Sequence, residues 1–391
     1  MKIKTISVSG VGGIEELEID FQDHVNIICG PNAIGKTTIL ECISHLFSAG
    51  ETELLKRNVN FDSSVIKAQV ELDGSLQNID VSFREFEPNH RNQINGRNQY
   101  AVKIISLKCS RTFDYIPLAS VTKDPEKKSP HFWSEARNGV ALNDMKNWFV
   151  NRYLYSAHKE ALNEIQISNF ELAKKCFTLI ENGFSFSRVN ASTNEIMVNT
   201  PNGEIYYEYL SSGFKSCISI LFGAIKEIEY RFSDPWLKAE DFDGLILIDE
   251  IEIHLHPNWQ SKIAKIISEI FPHSQIIATT HSPHVIQAAN PKEIIALQSI
   301  ENKVIKRELP VSEYGFQGWT IEEVLEDIMG MSDTRTFAFN SKIEAFNEAI
   351  EREDNIVANR LYNELDNLLH PQNHLKKLLR FQLASIREGN K

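Results

Sequence analysis

The chain has 391 residues, 42% apolar and 24% charged, with 41 basic against 53 acidic side chains and a formal net charge of −12. That length supports a sizeable core in one large domain or two, and the acidic balance argues against a molecule whose bulk charge binds nucleic acid. Cys29, Cys42, Cys109, Cys176 and Cys217 have no C-x-x-C spacing. With no signal-like leader and no apolar run of membrane-spanning length, this predicts reduced thiols in a cytoplasmic protein.

Residues 2–8 and 14–21 alternate apolar and polar side chains around Gly10, Gly12 and Gly13, which predicts a β-hairpin. The apolar run ending at Cys29 predicts a buried strand. It breaks at Gly30 and restarts as a helix after Gly35. The stretch Gly30-Pro31-Asn32-Ala33-Ile34-Gly35-Lys36-Thr37-Thr38 follows the pattern G-x-x-x-x-G-K-T, a P-loop. Glycines let successive N–H groups turn inward toward phosphate oxygens, and the helix adds its positive N-terminal end. In this pattern Lys36 reaches the β- and γ-phosphates of ATP, and the Thr37 hydroxyl ligates Mg²⁺. Strands are then expected at 65–72, 79–83 and 101–107, closing a first lobe at 1–110.

Residues 111–203 change character. A polar, Pro-bounded loop at 123–130 precedes helical patterning over 141–180 and alternating stretches at 184–189 and 195–198. We read this as a mixed, largely helical insertion without sustained heptads. A second lobe, 204–312, holds three signals in order. Leu210-Ser211-Ser212-Gly213 precedes an apolar helix. A buried strand then ends at Asp249-Glu250, and a second ends at Thr280-His281-Ser282-Pro283. From 313 to 391 the apolar spacing predicts antiparallel helices, a candidate oligomerisation or partner-docking region. His254/His256 and His281/His284 lack a third spaced ligand, which argues against a zinc site.

This order of motifs resembles the ATP-binding-cassette ATPases, in the group of overcoming-lysogenization-defect, RecF and structural-maintenance-type proteins. The resemblance implies an α/β fold. Its head is a P-loop sheet with an antiparallel β subdomain, followed by a helical insertion and a C-terminal helical region. It makes Asp249 a Mg²⁺ ligand and Glu250 the group that polarises the attacking water. It makes Ser211, Ser212 and Gly213 a signature that contacts the γ-phosphate of a nucleotide held by another subunit, and His281 the switch histidine. Composite sites of this kind require a dimer or higher oligomer. Glu252–Pro257 resembles the E-x-x-L-H-P segment at the family's dimer interface. A Q-loop glutamine is missing after the 101–107 strand, where Arg111 stands instead, and no adenine-stacking aromatic is identifiable. Asp241-Phe242-Asp243 has the spacing of a nuclease metal motif but sits in the loop feeding the strand. No acidic set follows it, so no intrinsic nuclease is expected. The tail from Gly318-Trp319 onward resembles stand-alone ATPases of bacterial anti-phage systems. That implies a sensor or regulator of a separate effector such as an HNH nuclease. A RecF-like DNA-binding repair ATPase, and an ATPase scaffold restraining a toxin as in the PARIS system, remain open alternatives.

Overall fold

The computed structural model describes residues 1–111, 115–310, 315–331 and 334–388, the side chains of 387 and 388 excepted. It divides into two compact units, Met1–Gly330 and Met331–Lys391. The lobe boundary read at 312/313 lies outside the described residues.

The chain opens with β1 (Lys2–Val11) and β2 (Ile14–Asp20), then β3 (Val25–Cys29) and α1 (Lys36–Leu46). Next come β4 (Ala49–Thr52), β5 (Ser64–Leu72), β6 (Ser75–Phe83), β7 (Asn92–Asn95) and β8 (Ile104–Leu107). Strands β2-β1-β5-β6 form an antiparallel sheet, and β4 pairs with β7. β8 is shorter than the sequence predicts, because residues 98–103 wind into a 3₁₀ turn.

The insertion comprises α2 (Ser129–Asn138), α3 (Met145–Ser156), α4 (Glu164–Ile180) and the antiparallel strands β9 (Ser185–Asn190), β10 (Glu195–Thr200) and β11 (Gly203–Tyr206). The chain returns through α5 (Ser212–Arg231), β12 (Leu245–Ile248), α6 (Pro257–Ile270), β13 (Gln275–Thr279) and α7 (Pro283–Ala288). It then adds β14 (Ile294–Ile300), β15 (Lys303–Lys306), a helical turn α8 (Ile321–Glu323) and a wide turn at Val324–Ile328.

The central sheet runs β15-β14-β3-β13-β12-β8, parallel except for β15. It interleaves strands from both lobes read in the sequence. Its strands are nearly continuous apolar runs because both faces are covered. Ile27, Ile105, Ile246, Ile276 and Ile294 turn to a core shared with α3 to α6. Ile28, Ile104, Leu247, Ile277 and Ile295 turn to a second core shared with α1 and the antiparallel sheet. This two-sided burial holds rigid the sheet edge from which the site is built.

The second unit has three helices, α9 (Phe337–Glu351), α10 (Asn355–Leu368) and α11 (Leu375–Glu388). They bury Phe346, Ala358, Leu365, Leu379 and Leu383 in a core of their own. Among the described residues, no helix is long and apolar enough to cross a membrane.

Candidate active site

Parallel pairing aligns the carboxyl ends of β3, β13 and β12: Ile28 lies opposite Thr279, and Ala278 opposite Ile248. The chain leaves these strands as the Gly30–Thr38 loop, the Thr280–Ser282 turn and the Asp249–Glu250 pair. The carboxyl edge of a parallel sheet is where such folds place ligands.

In the loop, Gly30 takes φ +142°, and a Cβ there would lie 2.5 Å from the Leu297 carbonyl oxygen on β14. Ala33 adopts left-handed backbone at φ +59°, and Gly35 caps α1 at φ +101°. Among the described residues no side chain caps α1, and no acid occupies its first turn, so no side-chain cap takes up its N-terminal N–H groups. The Lys36 side chain is buried, and its ammonium donates to the carbonyls of Gly30 and Pro31, both at 2.8 Å. Burial lowers its pKa, while Glu252, Glu250 and Asp249 pull in the opposite direction. Asn32 and Ala33 stand exposed, and Ile34 anchors the loop in the second core.

Beside the loop, the Thr37 hydroxyl donates to Asp249 Oδ1 at 3.0 Å. Thr279 on β13 donates to the same oxygen at 2.7 Å and accepts from the Glu250 N–H at 2.8 Å. Three adjacent segments thus share one carboxylate. Glu250 is half-buried with φ +49°. Glu252, which the sequence marks only as the first residue of the E-x-x-L-H-P segment, accepts from the Thr280 hydroxyl at 2.8 Å and from the His281 N–H, tying the segment after β12 to the histidine turn. Arg111 is buried against the backbone of both acids. Neither contact has a local sequence signal, since each joins residues far apart in the chain.

Ser211 caps α5, accepting from the Phe214 N–H at 3.2 Å, and Ser212 is exposed. A Cβ on Gly213 would lie 2.7 Å from the His254 carbonyl oxygen and 2.9 Å from the Trp259 ring. Packing within this chain therefore already requires a glycine at that position. Among the described residues, no hydrogen bond joins Ser211–Gly213 to Gly30–Thr38. Asp243 of the Asp-x-Asp stretch binds the Met1 ammonium at 3.3 Å and Lys103 at 2.9 Å, a structural task. No group of three or more His, Cys, Asp or Glu that could hold a metal occurs among the described residues.

A model of the AAA ATPase domain matches residues 1–139 and 150–286. The chain is 46% identical over 389 residues to the Septu protein PtuA of Bacillus thuringiensis, covering 98% of each. The chain belongs to the PtuA family of AAA-type ATPases. A PtuA of Bacillus mycoides is 22% identical over 93% of this chain and 48% of its own length. The structural-maintenance-type head domain from Thermotoga maritima, at 16% identity, covers 80% of this chain and 100% of its own, with a TM-score of 0.44. Membership of the PtuA family accords with the P-loop ATPase resemblance read from the motifs.

Proposed function

We propose that the chain binds and hydrolyses ATP at a site shared between two copies, and that this cycle controls a separate effector nuclease in cytoplasmic anti-phage defence. The observation that carries the ATPase reading is the 3.0 Å contact between Thr37 and Asp249 beside the buried Lys36 ammonium. A hydroxyl and a carboxylate on one point are the donor set that a P-loop site offers Mg²⁺, so these residues fit the ion. Bound there by Thr37 and Asp249, Mg²⁺ would neutralise charge on the triphosphate. Lys36 and the backbone N–H groups of residues 32–38 hold phosphate oxygens. Glu250, next to Asp249 and half-buried, orients and polarises the attacking water. His281, tethered through Glu252, reads the γ-phosphate.

The composite part of the reading rests on Ser211, Ser212 and Gly213. Among the described residues they make no hydrogen bond to their own P-loop, and both serines are exposed at the start of α5, which supports contact with a phosphate held by a neighbour. The defence role rests on the likeness to the Septu protein PtuA. The second unit supports an assembly or docking role, because Phe337, Ile356, Leu378 and Phe381 are exposed on helices that already have a closed core. Large apolar exposure marks interaction surfaces.

The test is Glu250→Gln with ATP and Mg²⁺, followed by light scattering and by nucleotide content after gel filtration. We expect retained ATP and a dimer or larger species. Turnover equal to the parent chain, or a monomer, contradicts the reading. Strong, salt-sensitive DNA binding by the isolated chain favours a repair ATPase instead.

A further inference from the structure

Arg111 follows β8, and its side chain is 3% exposed. Nη2 donates to the Glu250 carbonyl at 2.6 Å. Nη1 donates to the Asp249 carbonyl at 3.1 Å and to the Lys108 carbonyl at 3.0 Å. Nε finds no partner among the described residues. Removing a guanidinium from water costs several kcal/mol unless its surroundings compensate. Here that compensation is concentrated on the backbone of the two acids.

Of those carbonyls, Glu250's also accepts from the Ile253 N–H at 3.0 Å, and Arg111 is the donor to Asp249's. Asp249 still donates its N–H to Leu107, but β12 has ended and its carbonyl has left the ladder. Glu250 is non-glycine backbone at φ +49°, a conformation that costs about 1–2 kcal/mol and persists only where its surroundings over-determine it. The Thr279 hydroxyl on the Glu250 N–H and the Ile253 N–H on its carbonyl supply part of this; one planar donor bonding the carbonyls of both 249 and 250 adds the link between them, and a lysine, a point donor, cannot reproduce the fork. Burial lowers the Arg111 pKa, opposed chiefly by Asp249 and more weakly by Glu252 and Glu250.

We propose that Arg111 is a positioning residue for hydrolysis. By bonding the carbonyls of Asp249 and Glu250, it fixes the left-handed turn that aims the Glu250 carboxylate and ties that turn to the segment leaving β8. The proposal rests on the reading of Asp249 and Glu250 given above. Among the described residues Arg111 makes no hydrogen bond to Gly30–Thr38, its bonds going to Lys108, Asp249 and Glu250, so its loss lowers the rate of the chemical step and leaves ATP binding intact.

The experiment compares full-length Arg111→Lys, Arg111→Ala and Glu250→Gln in steady-state hydrolysis and equilibrium ATP binding. Both Arg111 variants are expected to lose about tenfold or more in kcat, with ATP affinity close to that of the parent chain. Millimolar guanidinium is expected to restore part of kcat in Arg111→Ala, while an alkylammonium ion does not. If Arg111→Ala fails to fold, Arg111→Lys decides. Lowered melting temperature with parent-like kcat per folded molecule makes Arg111 structural only and overturns the proposal, as does loss of ATP affinity in step with kcat. Parent-like turnover in Glu250→Gln removes the reading of the acids. An inactive Glu250→Gln beside an unaffected Arg111→Lys removes the Arg111 proposal alone.

Discussion

Gly213 is required by packing within this chain, apart from the phosphate contact proposed for it. A glycine inside a helix normally costs up to about 1 kcal/mol relative to alanine. At Gly213 the added Cβ would meet the His254 carbonyl oxygen at 2.7 Å and the Trp259 ring at 2.9 Å, and backbone cannot give way as a flexible side chain does. The clash outweighs the entropy gain, so Gly213→Ala is expected to destabilise the protein by about 1–3 kcal/mol in denaturant unfolding. A stabilised variant contradicts this packing. The contact was not legible in the sequence, where Gly213 stood only for close approach to a phosphate. Lys36, Thr37 and Asp249 were legible, because strand, loop and helix signals sit beside them. Arg111 and Glu252 were not, because their bonds to Asp249, Glu250, Thr280 and His281 depend on which strands become neighbours.

Among the elements, α1 carries Lys36 and Thr37 at one end and a buried histidine at the other. His45 Nδ1 lies 2.6 Å from the Glu41 carbonyl, and Nε2 lies 2.9 Å from the Thr52 hydroxyl. A carbonyl only accepts, so Nδ1 carries the proton and Nε2 accepts from Thr52 in the neutral ring. Burial lowers the His45 pKa from 6.5 to about 3, and Lys108 and Arg137 push the same way. The folded pKa lies below the unfolded one. The stabilisation is therefore complete above pH 6.5 and is lost progressively as pH falls toward 3. Glu41, whose pKa burial raises, works in the opposite sense. Urea midpoints are expected to fall on acidification, and His45→Gln to flatten that slope; an unchanged slope contradicts the assignment.

In α5, the apolar face was legible but the fate of Lys226, Glu227, Glu229 and Arg231 was not. They are charged, yet all are buried. Lys127 reaches Glu227 at 2.7 Å, Arg231 reaches Glu135 at 2.7 Å, and Arg152 reaches Glu229 at 2.6 Å. Burial alone would raise the Glu227 pKa, but Lys226, Arg231 and Lys127 outweigh it and hold the carboxyl below the usual carboxylate range. The insertion brings these partners from over 75 residues away, beyond any local pattern. β14 escaped notice for a different reason: its four buried apolar residues are too few to establish a period, although it flanks the P-loop strand.

At the scale of the molecule, unit one contains the P-loop, both acids, the histidine turn and the Ser211–Gly213 segment. It leaves the exposed Ser212 unconnected to its own loop. The central claim is that this serine face completes the site of another copy. Its most direct test is complementation. Lys36→Ala keeps an intact serine face, and Ser212→Arg keeps an intact P-loop. The two are co-expressed on different tags, the mixed oligomer is isolated through both, and ATP hydrolysis is measured. The account predicts that each variant alone is inactive while the mixed oligomer hydrolyses ATP well above their sum, because it contains one complete site. Parent-like turnover in Ser212→Arg alone, or a mixed oligomer no more active than its parts, would contradict it.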